Sequence, residues 1–190
     1  YFSTGRYTFP IANSVEEALQ MDIKPLDISA DVILCSHEHF DHNARDVVKQ
    51  TRKLTRFDIT KINSYHDDKQ GTLRGNNIIH YVKADDMKVV HLGDLGHELD
   101  DYSQIENCDV LMIPVGGHYT IDARTAKNIV DALKPRVVVP MHYSSETFGF
   151  KEIAPLDDFL NITDNHVFYD TDTITVDENT PNQIAILKYK

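Results

Sequence analysis

Apolar and polar positions alternate along the chain in short blocks that predict strands separated by helices or loops. Apolar runs rich in β-branched residues, which are typical of strands, occur in ADVILCS, DITKINSYH, NIIHYVKA, MKVVHLGD, DVLMIPVGG and RVVVPMHY. The sequence ADD predicts a turn between NIIHYVKA and MKVVHLGD. After a further loop, PLDDFLNI, HVFYD, TITV and QIAILKYK continue the alternation.

Three segments predict helices. In NSVEEALQ, Ser14 precedes Glu17 by three residues, which is a capping-box pattern. NARDVVKQ also has helical character. TIDARTAKNIVDALKP is amphipathic, with Asp122 near its start and Pro135 just past its end. Because no repeat or linker divides the chain, we expect one α/β domain over residues 1–190, with helices covering sheet faces.

The composition and net charge indicate which kind of protein this is and which kind of partner it binds. The chain has 190 residues, 41% of them hydrophobic, and no apolar run long enough to cross a bilayer. No segment resembles a signal peptide, so we expect a soluble, cytoplasmic protein. The net charge of -11 disfavours nucleic acid and favours a small-molecule partner, with a homo-oligomer left open. Cys35 and Cys108 are expected to be reduced core thiols.

Metal-binding residue types are concentrated in HEHFDH, directly after an apolar run. Two imidazoles two positions apart, His37 and His39, can turn to one metal ion at a strand end. Asp41 and His42 can turn to a second ion if the backbone bends sharply between the two pairs. The competing interpretation is a solvated, histidine-rich loop.

The motifs SHEHFDH, SYHDD, HLGDLGH and VVVPMHY, in that order, resemble the metal motifs of the metallo-β-lactamase-fold hydrolases. More narrowly, DVLMIPVGGHYTIDARTA followed by PRVVVPMHY is similar to an uncharacterised metal-dependent hydrolase branch related to L-ascorbate-6-phosphate lactonase. The resemblance covers about residues 31–145. It implies a four-layer αββα sandwich with metals where the two sheets meet. Family members begin with a β-hairpin that this chain lacks, so we expect its first sheet to be incomplete.

The resemblance also implies a dinuclear ligand set. His37, His39 and His66 match the first site, Asp41, His42 and His142 match the second, and Asp94 matches the bridging carboxylate. Zinc suits an imidazole-rich shell, although manganese, iron or nickel accept the same nitrogen and oxygen donors.

The residues alone leave several assignments open. The third ligand of the first ion could be His66, His97 or His118, and the last two are also candidates for substrate contact or proton transfer. His80, His91 and His166 fit core or sheet-face positions better than a site. Asp67 and Asp68 are candidates to orient metal ligands, whereas Arg74 and Asn76 favour a turn over an anion contact.

Two ions held in this way can lower the pKa of a bridging water to about 7, which favours hydrolysis by a metal-bridging hydroxide. We therefore expect a dinuclear metal-dependent hydrolase acting on a small ester, lactone or phosphoester, with Asp94, Asp41 and His118 in catalytic roles. A nuclease or phosphodiesterase, or an oxidoreductase, on the same fold is the second hypothesis. A binding module without metals is the third.

Overall fold

The computed structural model describes residues 2–3, 8–9, 29–39, 42–43, 45, 48–51, 57–146 and 149–188. The described residues form strands β1 to β12, with bounds Phe2–Ser3, Thr8–Phe9, Ser29–Ala30, Lys49–Gln50, Phe57–Tyr65, Asn76–Ala84, Met87–His91, Val110–Pro114, Val137–Met141, His166–Phe168, Ile174–Thr175 and Gln183–Ile186. They also form helices α1, Ala123–Leu133, and α2, Asp157–Leu160. No described helix has both the length and the apolar character needed to cross a membrane.

The main sheet has seven strands in the order β10-β12-β9-β8-β7-β6-β5. Strands β5, β6 and β7 form an antiparallel meander, and β7, β8, β9, β12 and β10 pair in parallel. Because β7, β8 and β9 are neighbours and parallel, their carboxyl ends lie at one edge of the sheet. A smaller sheet has the order β11-β1-β2, and β3 pairs with β4.

Both faces of the main sheet are covered. On one face α1 buries Ala126, Ile129 and Leu133 against a core that also contains Phe159 of α2. On the other face, alternate residues of β7, β8 and β9 pack against Ile174 and Val176, at and just beyond β11 of the smaller sheet. Burial on both faces explains why the central strands are continuous apolar runs rather than alternating ones.

Helix α1 begins and ends as the sequence predicts. The Asp122 carboxylate accepts a hydrogen bond from the Thr125 N–H at 2.8 Å, which caps the first turn. Lys134 adopts a left-handed conformation with φ of 50°, and Pro135 follows it. The turn predicted at ADD is also present, with Asp85 at φ of 53°.

Near the histidine cluster, one predicted strand is wrong and one predicted helix is wrong at its end. ADVILCS is not a regular strand, since only Ser29–Ala30 pairs, and residues 32–35 are irregular. NARDVVKQ does not end as a helix, because Lys49–Gln50 pairs in parallel with Ser29–Ala30. Tertiary pairing there overrides local helical preference. The helix predicted to start at Ser14 lies outside the described residues.

We predict that Phe159→Ala lowers the free energy of unfolding by about 3–5 kcal/mol, because the ring is fully buried and its removal leaves a cavity. Phe168→Ala is the matched control, because that side chain is 68% exposed, and its effect should stay within about 0.5 kcal/mol. Urea unfolding of both variants measures the difference, and equal effects would contradict the packing described here.

Candidate metal centre

Asp94 lies at the carboxyl end of β7, where the backbone approaches its neighbours closely. Gly93 has a φ of 58°, and a Cβ there would lie 2.4 Å from Asn77 Oδ1 and 2.6 Å from Ser36 Cβ. Only glycine fits both the conformation and the space. The Asp94 N–H donates to Asn77 Oδ1 at 3.0 Å, and the Asp94 side chain is buried.

One oxygen of that carboxylate, Oδ2, faces four imidazole Nε2 atoms. The distances are 3.3 Å to His42, 3.3 Å to His66, 3.5 Å to His142 and 3.8 Å to His37. These histidines come from distant parts of the chain, so the cluster is a product of the fold. The structure therefore brings together five of the seven residues predicted as ligands around one atom.

His37 and His39 are presented by the segment that runs beside β6. The Ile78 N–H donates to the Ser36 carbonyl at 2.8 Å, which ties this segment to the sheet. His37 is buried, and its Nδ1 is hydrogen-bonded to Ser36 Oγ at 2.9 Å. Its other ring nitrogen, Nε2, is also buried and has no hydrogen-bond partner among the described residues. His39 is exposed, and its ring centroid lies 4.7 Å from that of His37 and 5.3 Å from that of His66.

His66 directly follows β5 and is oriented by the chain beyond β8. Its Nδ1 lies 3.1 Å from the Tyr119 carbonyl oxygen, and its Nε2 lies 3.3 Å from Asp94 Oδ2, so both ring nitrogens are engaged. Gly96 packs on the His66 peptide, where a Cβ would lie 2.3 Å from the His66 carbonyl carbon and 2.5 Å from its oxygen. The tight packing fixes the position of His66.

His142 directly follows β9 and has a φ of 54°, which is uncommon for a residue with a side chain. A Cβ at Gly116 would lie 2.1 Å from the His142 carbonyl oxygen, so the two loops touch through their backbones. The ends of β5, β7 and β9 thus each supply one member of the cluster, as the sequence predicts from their position after strand-like runs.

Burial and mutual interactions shift the pKa values of the cluster in different directions. Burial, then the neighbouring His42, lowers the pKa of His37 to about 3, so that its lone pair is free at neutral pH. Burial alone would raise the pKa of Asp94, but the His66 hydrogen bond and the other imidazoles hold it well below its usual range. Burial alone would lower the pKa of His66, and the hydrogen bond and charge of Asp94 reverse the direction and raise it.

Two groups of three donors have the compactness of a metal site. The ligand atoms of His37, His39 and His66 lie within 4.8 Å of one another, and so do those of His37, His42 and Asp94. Imidazole nitrogens with one carboxylate suit zinc and other divalent transition metals. The unpartnered His37 Nε2 fits the same interpretation, because a buried polar atom needs a partner.

The remaining predicted site residues have different settings. Asp41 lies outside the described residues. His118 is exposed, has a φ of 58° and packs its ring against that of Tyr119, with centroids 4.4 Å apart; it belongs to neither group of three donors. His97 is engaged by backbone groups at both nitrogens: Tyr65 N–H donates to Nε2 at 3.3 Å, and Nδ1 lies 2.7 Å from the Glu98 oxygen.

The carboxylates of Asp67 and Asp68 have their recorded partners within their own turn. The Asp67 carboxylate accepts hydrogen bonds from four backbone N–H groups of its own turn, those of Lys69, Gly71, Leu73 and Arg74. The Asp68 carboxylate pairs with Lys69 at 3.0 Å. Asp67 therefore builds the turn that follows His66, and the role of the two carboxylates in orienting metal ligands stays a prediction.

No sequence motif points to Asn77, which is completely buried on β6. Its side-chain N–H groups donate to Ser64 Oγ and to the Leu92 carbonyl, each at 2.8 Å, and its Oδ1 accepts from Asp94. Asn77 therefore joins β5 to the segment that projects Asp94. A signal was present, because alternation along NNIIHYVKA places this amide on the face occupied by Ile79 and Tyr81.

A sequence model described as the beta-lactamase superfamily domain matches residues 10–142, and the chain belongs to that superfamily. The predicted resemblance and the mixed α/β fold class are thereby confirmed.

Individual relatives agree with this classification. A UPF0173 metal-dependent hydrolase of Thermococcus kodakarensis is 29% identical over 164 residues, which cover 65% of this chain and 71% of the relative. A Thermotoga maritima crystal structure of the metallo-beta-lactamase superfamily is 32% identical, with a TM-score of 0.68, and covers 87% of this chain and 84% of that one. A Parabacteroides distasonis structure shares the fold at 14% sequence identity. Its TM-score is 0.59, and the match covers 94% of this chain and 83% of that one.

We predict that Asn77→Ala lowers the free energy of unfolding by about 2–4 kcal/mol, since it leaves buried partners of three hydrogen bonds unsatisfied. Asn63→Ala is the matched control, because Asn63 is exposed on the neighbouring strand β5. Denaturant unfolding compares them, and a loss no larger than that of the control would refute the role given to Asn77.

His80 provides a pH-dependent prediction away from the cluster. His80 is buried opposite His91 in the β6–β7 register, and burial followed by the nearby Lys61 lowers its pKa from 6.5 to about 4. Between pH 6.5 and about 4 the unfolded chain takes up a proton that folded His80 does not, so the free energy of unfolding falls as the pH falls.

We therefore expect the free energy of unfolding of His80→Leu, measured in a chelator, to fall less than that of the wild type over the same pH range. Its decline will not vanish, because burial also lowers the pKa of His91 to about 4. Parallel profiles for the two proteins would show that His80 is protonated equally in both states.

Proposed function

We propose that the chain is a metal-dependent hydrolase that acts on a small ester, lactone or phosphoester. The observation that carries this proposal is the single Asp94 oxygen faced by four imidazole Nε2 atoms, one of them buried without a hydrogen-bond partner among the described residues. The Thermococcus kodakarensis relative is named a metal-dependent hydrolase, and the Thermotoga maritima structure is provisionally described as a Zn-dependent hydrolase.

The ligand proposal divides the cluster between two ions. His37, His39 and His66 would hold one ion, with donor atoms that already lie within 4.8 Å of one another. His42 and His142, together with Asp41, would hold the other. Asp94 would serve both, because its Oδ2 faces histidines assigned to each. Zinc is the first candidate, and manganese, iron or nickel would accept the same donors.

Neither cysteine contributes to this ligand set. Cys35 Sγ lies 3.8 Å from Asn43 Oδ1, and Cys108 is buried with its pKa raised to about 11, mainly by burial. Cys108 thus stays protonated and cannot act as a thiolate ligand at neutral pH. Without a sulfur ligand, the proposed site has only nitrogen and oxygen donors. Which metal ion binds would then depend on coordination geometry and on which metal is available.

Divalent ions, when bound, lower the pKa of a coordinated water and polarise the oxygen of a carbonyl or phosphoryl group. The residues of the chain orient the imidazole rings and provide a negative charge next to the ions. Asp94 stays ionised and brings a fixed negative charge to the centre, while Ser36 and the Tyr119 carbonyl hold the rings of His37 and His66.

His118 is proposed to contact the substrate or to transfer a proton to the leaving group. The imidazole is exposed on the loop that follows Gly117, next to the Tyr119 whose carbonyl holds His66. An imidazole can donate or accept a proton, and its exposure leaves it accessible to a substrate, which suits it to that role.

The test compares three proteins purified without chelator: wild type, His66→Ala and the control His97→Ala. We expect about two equivalents of metal in the wild type and turnover of aryl acetate or aryl phosphoester substrates with zinc or manganese. His66→Ala should lose one equivalent and about 100-fold or more in kcat/KM, since an open shell no longer holds its ion. Metal content by mass spectrometry and initial rates provide the readouts.

His97→Ala should retain both the metal and the rate, because both His97 nitrogens are occupied by backbone groups. Wild-type protein without metal or hydrolysis would instead favour a binding module. Full metal content in His66→Ala would remove His66 from the ligand set.

A further inference from the structure

Arg74 lies on the turn between β5 and β6 that begins with His66 and Asp67. The Arg74 N–H donates to Asp67 Oδ2 at 2.7 Å, and the neighbouring Leu73 N–H donates to the same oxygen at 3.0 Å. A buried carboxylate thus fixes the backbone of Arg74 only a few residues from a proposed metal ligand. The turn predicted here from sequence is present, and it also determines where the guanidinium can reach.

The Arg74 side chain rests on the ring of Tyr119, with Cζ 5.5 Å from the ring centroid. Arg45 and Arg136, in contrast, pair with Glu38 and Asp109. Among the described residues no carboxylate forms an ion pair with Arg74, although the chain has 30 acidic and 19 basic residues. The cation–π contact holds the guanidinium while leaving its N–H donors available for a ligand.

Tyr119 connects Arg74 to the metal centre. Its carbonyl oxygen lies 3.1 Å from His66 Nδ1, and its ring centroid lies 6.5 Å from that of His142. One residue therefore touches both the guanidinium and the imidazoles that face Asp94. A group bound by Arg74 would lie close enough for the same small molecule to reach the cluster.

The surroundings add an apolar rim. Tyr65 is 37% exposed next to His66, Leu73 is 66% exposed next to Arg74, and Phe150 is 41% exposed with its ring 6.2 Å from that of Tyr119. Apolar walls with a few placed polar groups are the usual composition of a small-molecule site. This rim suits the hydrocarbon part of a ligand better than a second charged group.

We propose that Arg74 is a specificity-determining residue that binds an oxyanion of the substrate, a carboxylate or a phosphate, while the bond to be hydrolysed lies at the Asp94 cluster. The inference rests on the proposed function and narrows its substrate class to anions. A chain of net charge -11 repels anions at long range, so an anionic substrate needs a local cation of this kind. The planar guanidinium can hold either oxyanion through two parallel N–H···O bonds.

Matched aryl acetates test the inference: para-acetoxybenzoate, para-acetoxyphenylphosphonate and the neutral para-acetoxybenzamide. Water and the ester give acetate and the phenol in each case. We expect the metal-loaded wild type to prefer an anionic ester over the amide in kcat/KM. Arg74→Gln should lower that preference about 10- to 100-fold, mainly through KM, while its metal content stays unchanged. Whichever anionic ester shows the larger loss identifies the oxyanion.

Two further variants separate charge from position. Arg124→Gln changes the net charge equally, but Arg124 is exposed on α1, so the preference should remain at the wild-type level. Arg74→Lys keeps the positive charge but lacks the planar guanidinium, so it should recover part of the preference for the anionic ester. Such recovery would show that the loss in Arg74→Gln comes from the missing charge and not from misfolding.

A binding measurement makes the test independent of turnover. Isothermal titration of the metal-loaded protein with para-hydroxybenzoate and para-hydroxybenzamide should show tighter binding of the anion, and Arg74→Gln should remove the difference. Hydrolysis with an unchanged anion preference in Arg74→Gln would overturn this inference and leave the proposed function intact. Absence of hydrolysis of both the aryl acetates and the aryl phosphoesters by the loaded wild type would instead refute the proposed function.

Discussion

The arrangement of the site depends on one buried carboxylate oxygen, Asp94 Oδ2, and on the four imidazole nitrogens that face it. A negative charge in a protein interior is costly unless positive or donor groups surround it. The imidazoles provide that environment, and the fall in the Asp94 pKa reflects it. The same arrangement brings four imidazole nitrogens and a carboxylate oxygen to one point, and these are atom types that bind divalent cations.

Groups outside the cluster hold its members in position. Asn77 binds the Asp94 backbone, Ser36 Oγ binds His37, and the Tyr119 carbonyl binds His66. Glycines at positions 93, 96 and 116 allow backbones to approach where any Cβ would collide. In the described part of the chain, orientation thus comes from backbone, hydroxyl and amide groups rather than from additional charges.

The parts of the structure that the sequence predicts are those governed by local periodicity. Apolar runs identify β5 to β9, and the cap at Asp122 identifies α1, because each depends on neighbours in the chain. The strand-end positions of His66, Asp94 and His142 also follow from those runs, since parallel strand ends share an edge.

The parts that escape prediction depend on distant contacts. Lys49–Gln50 is a strand because it pairs with Ser29–Ala30, and no local sequence pattern predicts that pairing. The Asp67 carboxylate is bound by backbone groups of its own turn, which spacing alone cannot show. The contact of Arg74 with Tyr119 likewise joins two loops that are far apart in sequence and meet only in the folded protein.

The turn organised by Asp67 has a consequence for the order in which the protein folds. Its four hydrogen bonds join Asp67 to residues no further along the chain than Arg74, so closing them costs little loop entropy. The ring of imidazoles around Asp94, in contrast, joins His37 to His142 and requires most of the described main sheet. Local contacts of the first kind form quickly, whereas contacts between distant segments form slowly. The turn that presents His66 can therefore form early in folding, and the centre is completed only when β9 docks.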